Sequence, residues 1–246
     1  MKFKFRYVFV TLAAILLLAI AGFVIWASNP LGPGQQALAA LESDSQVTVT
    51  RGDSIVFQPV DVQPTTGFIF YPGGRVDYRS YALPLREIAA QGYLVVLVPA
   101  PLNLMVLNPN AADAVIPQFL QIEYWAVGGH SLGGAMAANY LYTNPGAANG
   151  LILWASYPAE NNDLTDSGLQ VLSIYGTLDM AGIEKFDASR AFLPIDTTWV
   201  VIEGGNHAQF GNYGLQPGDN IATISAAEQQ KQIEDATVSF LENLGK

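Results

Sequence analysis

One serine and two histidines hold the chemistry that this 246-residue sequence offers. Ser131 lies in Gly129-His130-Ser131-Leu132-Gly133, a G-x-S-x-G pattern. A serine hydroxyl is a poor nucleophile until a base removes its proton. Imidazole is the usual base, because its pKa lies near neutrality. His130 adjoins Ser131, where neighbouring side chains diverge, and it is read as packed beside the strand that leads into the motif. That leaves His207, in Glu203-Gly204-Gly205-Asn206-His207, as the candidate base. A third group, an acid, must orient such an imidazole and stabilise its charge. The chemistry would be acyl transfer through a covalent acyl-serine.

The flanks of the motif matter more than the pattern, because short patterns occur by chance. Residues 124–127 read as a short buried strand and residues 135–142 as a helix rich in small residues. A strand, a sharp turn carrying serine, and a helix make a nucleophile elbow. Glycine two residues to either side keeps Cβ atoms away from the strained turn. The N–H of Leu132 falls close to where an oxyanion would form. The bland alternative is a Gly-rich loop in which Ser131 is a turn or cap residue.

Elsewhere, residues 46–50 and 54–58 alternate as a strand pair turning at Arg51-Gly52-Asp53, a tripeptide read as a hairpin turn rather than an adhesion motif. Unbroken apolar runs at 67–71, 93–98, 150–155, 170–175 and 197–202 predict buried strands. Helices are expected at 35–42 and 81–91, and from Asn108-Pro109 to Phe119, bent or divided at Pro117. Another should begin near Ala181, and a last one after the capping box Ser225-Ala226-Ala227-Glu228. Strands that are apolar throughout and alternate with helices predict an α/β fold, a mostly parallel sheet covered by helices on both faces.

GGHSLGGAMAANY, with YPGG upstream and YGTLD and GGNHAQFGNYG downstream, resembles the α/β-hydrolase superfamily. Within it the sequence is most similar to the compact fold-5 group, related to dienelactone-hydrolase-like proteins. The resemblance runs from about Ser54 to the C-terminus and implies a serine hydrolase. It places the catalytic histidine just after the last strand, where His207 lies, and the acid after the penultimate strand, where Asp179 lies. The order Ser131, Asp179, His207 matches the order that this fold uses. Asp179 could equally cap the helix near Ala181, or do both; Glu203 is the reserve acid. The oxyanion hole needs two donors. Leu132 N–H is one, and the resemblance puts the second in Tyr71-Pro72-Gly73-Gly74-Arg75. There the histidine of the HGGG-type motif is replaced by tyrosine and proline. Gly74 N–H is expected, with Gly73 as the alternative.

Net charge is −10, and three of the eleven basic residues (Lys2, Lys4, Arg6) lie at the very start. Eight basic against 21 acidic residues remain, about −13, which excludes nucleic acid and an anionic membrane surface as partners of the folded domain. With no cysteine, disulfides, thiolate nucleophiles and Cys-bound metals are excluded. No histidine-carboxylate cluster suggests a metal, and the glycine-rich loops lack the spacing of a nucleotide site; no cofactor is expected.

Residues 8–27 are uncharged and almost wholly apolar. At about 1.5 Å per residue they span roughly 30 Å, a hydrocarbon core. The basic flank predicts a cytoplasmic N-terminus, and Tyr7 and Trp26 fall where interfacial aromatics belong. Residues 1–28 are therefore read as a signal-anchor helix, 29–45 as a linker and 46–246 as a hydrolase domain outside the cytoplasm. The rival is a signal peptide cleaved near Ala19-Ile20-Ala21, which would release a secreted domain. The partners expected are a small acyl substrate and, through the helix, a membrane; oligomeric state is open. Binding without turnover and acyl transfer to another acceptor are the alternatives to hydrolysis. Residues 156–168 are too polar for a lid over a long acyl chain, so short acyl groups in soluble substrates are expected.

Overall fold

The computed structural model describes residues 2–246, with side chains from Tyr7 onward. Met1 and the side chains of Lys2, Lys4 and Arg6, on which the predicted orientation depends, lie outside the described residues. The chain opens with helix α1 (Lys2–Ala27). From Tyr7 onward it has no polar face to turn to water, and every large apolar side chain from Tyr7 to Trp26 is exposed. Its Tyr7–Ala27 stretch, with mean hydropathy 2.9, is long and apolar enough to cross a membrane.

A short helix α2 (Gln35–Ala39) leads into a single eight-stranded sheet. Its strands are β1 (Val47–Arg51), β2 (Ile55–Pro59), β3 (Thr66–Tyr71), β4 (Leu94–Leu97), β5 (Tyr124–His130), β6 (Gly150–Trp154), β7 (Gln170–Gly176) and β8 (Thr198–Ile202). The spatial order is β1-β2-β4-β3-β5-β6-β7-β8. β1, β2 and β4 pair antiparallel, and all pairings from β4 to β8 are parallel. The Arg-Gly-Asp tripeptide forms the predicted turn, with Arg51 opposite Ile55 and Gly52 N–H donating to Ser54 O (3.0 Å).

Alternation along the strands divides the core in two. Phe68 and Phe70, Ile152 and Trp154, and Leu172 and Ile174 face one side. Helices α3 (Ala82–Ala90) and α7 (Ala226–Asn243) cover it, Leu85, Ile88, Ile233 and Leu241 pointing inward. Ile69 and Tyr71, Val127, and Leu151 and Leu153 face the other side, beneath α5 (Leu132–Thr143). Trp154 Nε1 donates to Thr237 Oγ1 (3.2 Å), so a polar contact is satisfied inside the first layer. The capping box forms as expected, Glu228 N–H donating to Ser225 Oγ (3.1 Å).

The helix expected from Asn108 to Phe119 is divided at Pro117, and it starts later and is shorter than expected. It is reduced to α4 (Ala112–Val115), with 3-10 turns at Met105–Leu107 and Ile116–Gln118. Pro109 and Pro117 supply no N–H to a helical ladder. In its place the Tyr71 hydroxyl donates to Pro109 O (3.0 Å) and accepts from Ala112 N (2.9 Å). The last short helix of the chain, α6 (Ile183–Ser189), starts two residues later than expected, because residues 179–182 form a turn closed by Gly182 N–H to Asp179 O (3.0 Å).

On α7, burial and the nearby Glu87 of α3 push the Glu234 carboxyl up to about 7. Between the ordinary carboxyl range and about 7 the folded chain holds a proton that the unfolded chain has released. Stability therefore falls as pH rises through that window. Glu234→Gln is expected to raise stability at pH 8 by about 1 kcal/mol, a value reduced for solvent screening, and to change nothing near pH 4. Denaturant unfolding at the two pH values checks this; an equal effect at both would contradict it.

Candidate active site

The sheet carries its functional loops at the C-terminal ends of the parallel strands, where open α/β sheets form their crevices. Ser131 follows β5 directly, with φ 52° and ψ −122°, in a region that non-glycine residues rarely enter. A conformation of this kind costs about 1–3 kcal/mol and persists where neighbours hold it. Here Ser131 N–H donates to Trp154 O (3.0 Å), and Ser131 O accepts from Ala135 N (3.1 Å) and from Ser156 Oγ (2.6 Å). The close approach of α5 to β3 requires glycine at 133, since a Cβ there would overlap the Tyr71 carbonyl oxygen. Ser156 was not singled out in the sequence, because a serine after a strand has no signature until β6 lies beside β5.

The loops after β7 and β8 meet. Leu178 N–H donates to Gly205 O (2.9 Å) and Thr177 N–H to Ile202 O (3.0 Å). Gly204 turns the second loop with φ 73°. This brings His207 Nδ1 to 2.9 Å from Asp179 Oδ2, both side chains being almost fully buried. Asp179 Oδ1 accepts Ala181 N–H (2.8 Å) at the same time, so the carboxylate serves both a turn and the imidazole. Glu203 lies just past β8, exposed, its Oε1 near Thr177 Oγ1 (3.4 Å) rather than near His207. The His207 loop is pinned by two further residues that no motif marks. Buried Gln229 of α7 accepts Asn206 N–H (3.0 Å) and donates to Asn206 O (2.7 Å). Asp219 accepts the N–H of His207 (3.3 Å) and of Ala208 (2.8 Å).

Ser131 and His207 line one cavity of about 380 Å³, together with Leu132, Tyr157, Met180 and Gln216. Ser131 lines this cavity, and its Oγ makes no hydrogen bond among the described residues. The cavity is at the small end of ligand sites.

His130 is buried on the core side, its ring stacked on Phe210 (centroids 5.5 Å apart, planes 15°) and 4.5 Å from the His207 ring. The Tyr81 hydroxyl accepts Gly73 N–H (3.1 Å) and meets His130 Nδ1 at 2.8 Å. The direction of that bond follows the imidazole tautomer, and His130 Nε2 is buried without a hydrogen-bond partner among the described residues. Burial first, then the nearby His207, lowers the His130 pKa well below its usual value and keeps it neutral. His130 is thus the packed histidine of the pair.

The same contact distinguishes Gly73 from Gly74. Gly73 N–H is committed to Tyr81, whereas Gly74 N–H has no partner among the described residues. Gly74 also lies against Leu132, since a Cβ on it would come within 3.1 Å of Leu132 Cδ2. Leu132 opens α5, where first-turn N–H groups lack helical acceptors. Among the described residues no group of three or more His, Asp or Glu side chains could hold a metal ion.

The profile of the Alpha/beta hydrolase family matches residues 67–231. Among solved structures the fold is similar to dienelactone hydrolase from Anabaena variabilis ATCC 29413 (TM-score 0.63, 14% identity, 81% of this chain and 99% of that one). It is also similar to a thermophilic esterase from the planctomycete Thermogutta terrifontis (TM-score 0.53, 17% identity, 87% and 96%). An esterase/lipase from an uncultured bacterium matches with TM-score 0.57 and 12% identity over 84% of this chain and 88% of that one. No curated protein matches the chain. With two thirds of its length matched by the family profile and that sheet order around its serine turn, this chain belongs to the α/β-hydrolase family.

Proposed function

We propose that the protein is a serine hydrolase that cleaves small esters or related acyl bonds through an acyl-Ser131 intermediate. The observation that carries this reading is the meeting of the Asp179–His207 pair (2.9 Å) and the strained Ser131 turn at one small cavity. His207 Nε2 takes the Ser131 proton as Oγ attacks the carbonyl carbon. Asp179 accepts Nδ1–H and stabilises the imidazolium. The oxyanion is met by the N–H groups of Leu132 and Gly74. Collapse expels the alcohol, which leaves with the proton from His207; water then enters by the reverse sequence and frees the acid.

A fluorophosphonate probe should label Ser131 in the wild-type chain and not in Ser131→Ala. Rates on p-nitrophenyl esters should be highest at short chains and decline from butanoyl onward, with no jump when substrate forms micelles. The polar composition of residues 156–168 supports this preference. A rate that climbs steadily to palmitoyl would sink it.

The domain, residues 46–246, is read as tethered outside the cytoplasm by residues 1–28, through the linker 29–45. The exposed apolar length of α1 supports a membrane span. The full chain should stay in the membrane fraction through a high-pH carbonate wash, and a mature protein starting near Gly22 would indicate a cleaved signal peptide instead.

A further inference from the structure

Arg75 directly follows Gly74, and it is tied to the end of α1. Its φ is 56°, a left-handed conformation that an arginine adopts at a cost. Leu102 and Asn103, in the neighbouring loop, are left-handed as well (φ 50° and 56°). The guanidinium donates from Nε to Trp26 O (3.2 Å) and from a terminal nitrogen to Asn29 O (3.0 Å). It also lies over the Trp26 ring, 4.4 Å from the centroid. Asn103 Nδ2 donates to Ala27 O (2.9 Å). The main chain completes the joint, Arg75 N–H donating to Asn103 O (2.7 Å) and Leu31 N–H to Arg75 O (2.8 Å).

The last carbonyls of a helix lack internal partners and carry partial negative charge. α1 has no basic residue in its own last turn. Trp26 O accepts a long bond from Asn29 N–H (3.4 Å), and Arg75 and Asn103 add donors to Trp26 O and Ala27 O from 49 and 76 residues away. In doing so they fix the peptide next to Gly74 from its C-terminal side, while Tyr81 fixes Gly73 from the other. Leu104 packs against the same glycine, its Cδ2 3.9 Å from where a Cβ on Gly74 would lie. The oxyanion loop is therefore held between the core and the end of the apolar helix.

We propose that Arg75 is a positioning residue that couples the end of the N-terminal helix to the oxyanion loop, so that Gly74 N–H is aimed correctly only while the helix end is clamped. This rests on the serine-hydrolase reading above. A misaimed donor weakens binding of the developing oxyanion more than of the ground-state ester, so kcat falls while KM holds.

The test uses the full chain in detergent micelles. Arg75→Asn and Asn103→Gly both tolerate left-handed backbone and remove only the ties to the helix end. Arg75→Asn is expected to lower kcat about tenfold with KM within about twofold. Arg75→Lys should recover part of the loss, since an ammonium supplies a point charge without the fork. Asn103→Gly should lower kcat severalfold in the same manner and decides the matter should Arg75→Asn not fold. Wild-type kcat in the folded variants, or a raised KM at unchanged kcat, overturns the coupling. Failure of a fluorophosphonate to label wild-type Ser131 would instead overturn the hydrolase reading beneath it, so the two failures are distinguishable.

Discussion

Ser131→Ala and His207→Ala are each expected to lower kcat on a short ester by about 10⁴- to 10⁶-fold, and the double variant by little more. That corresponds to about 5–8 kcal/mol of transition-state stabilisation. The size follows from the arrangement, in which nucleophile and base act on one proton, so losing either removes the whole step. Folding should survive both changes. Ser131 is strained and replacing it with alanine removes no hydrogen bond of its side chain, because Oγ makes none in this structure. His207→Ala loses one side-chain bond to Asp179, but its main-chain tie to Asp219 remains. Steady-state kinetics with p-nitrophenyl acetate, beside a far-UV spectrum of each variant, provide the check. Additive losses, or a Ser131→Ala chain with activity near wild type, would remove Ser131 as nucleophile.

Asp179→Asn is expected to be nearly as severe, about 10⁴-fold in kcat, and the structure supplies the reason. Asp179 Oδ1 accepts Ala181 N–H (2.8 Å), so an asparagine there keeps its oxygen on that donor and turns its amide NH₂ towards His207. Nδ1 of His207 must then accept, its proton moves to Nε2, and the lone pair that should take the Ser131 proton is lost. Raising the pH does not restore a lone pair held by a tautomer, so activity should stay low across the alkaline range. Glu203→Gln should stay within about twofold of wild type, because Glu203 is exposed and meets Thr177 instead. An active Asp179→Asn beside an inactive Glu203→Gln would reverse the assignment of the acid.

Local patterns made much of the fold legible. β3 and β4 are apolar at nearly every position, which is what two covered faces demand, and their boundaries were readable to within a residue or two. The elbow was readable because its glycines, its serine and its flanking strand lie within a dozen residues. The capping box before α7 and the turn at residues 51–53 were readable for the same reason, since each is satisfied by contacts inside one short segment. The first turn expected at residues 108–111 is missing because its helical bonds are replaced by a tyrosine hydroxyl 38 residues from Pro109, which no local pattern announces.

By itself the sequence determined the types and order of Ser131, Asp179 and His207, the α/β alternation, and an N-terminal helix apolar on all sides. The tertiary structure alone decided which partners those residues meet. Only the parallel register of β5, β6, β7 and β8 brings three loops to one edge of the sheet, and with them Ser156, Gln229 and Asp219 as supports. Only the packing of Tyr81 on His130 takes Gly73 N–H out of use and leaves Gly74 free. The joint between Arg75 and the end of α1 belongs to the same class. Its donors and acceptors are separated by 28 to 76 residues, and a hydrogen bond needs them within about 3 Å, a condition met only once the chain has folded.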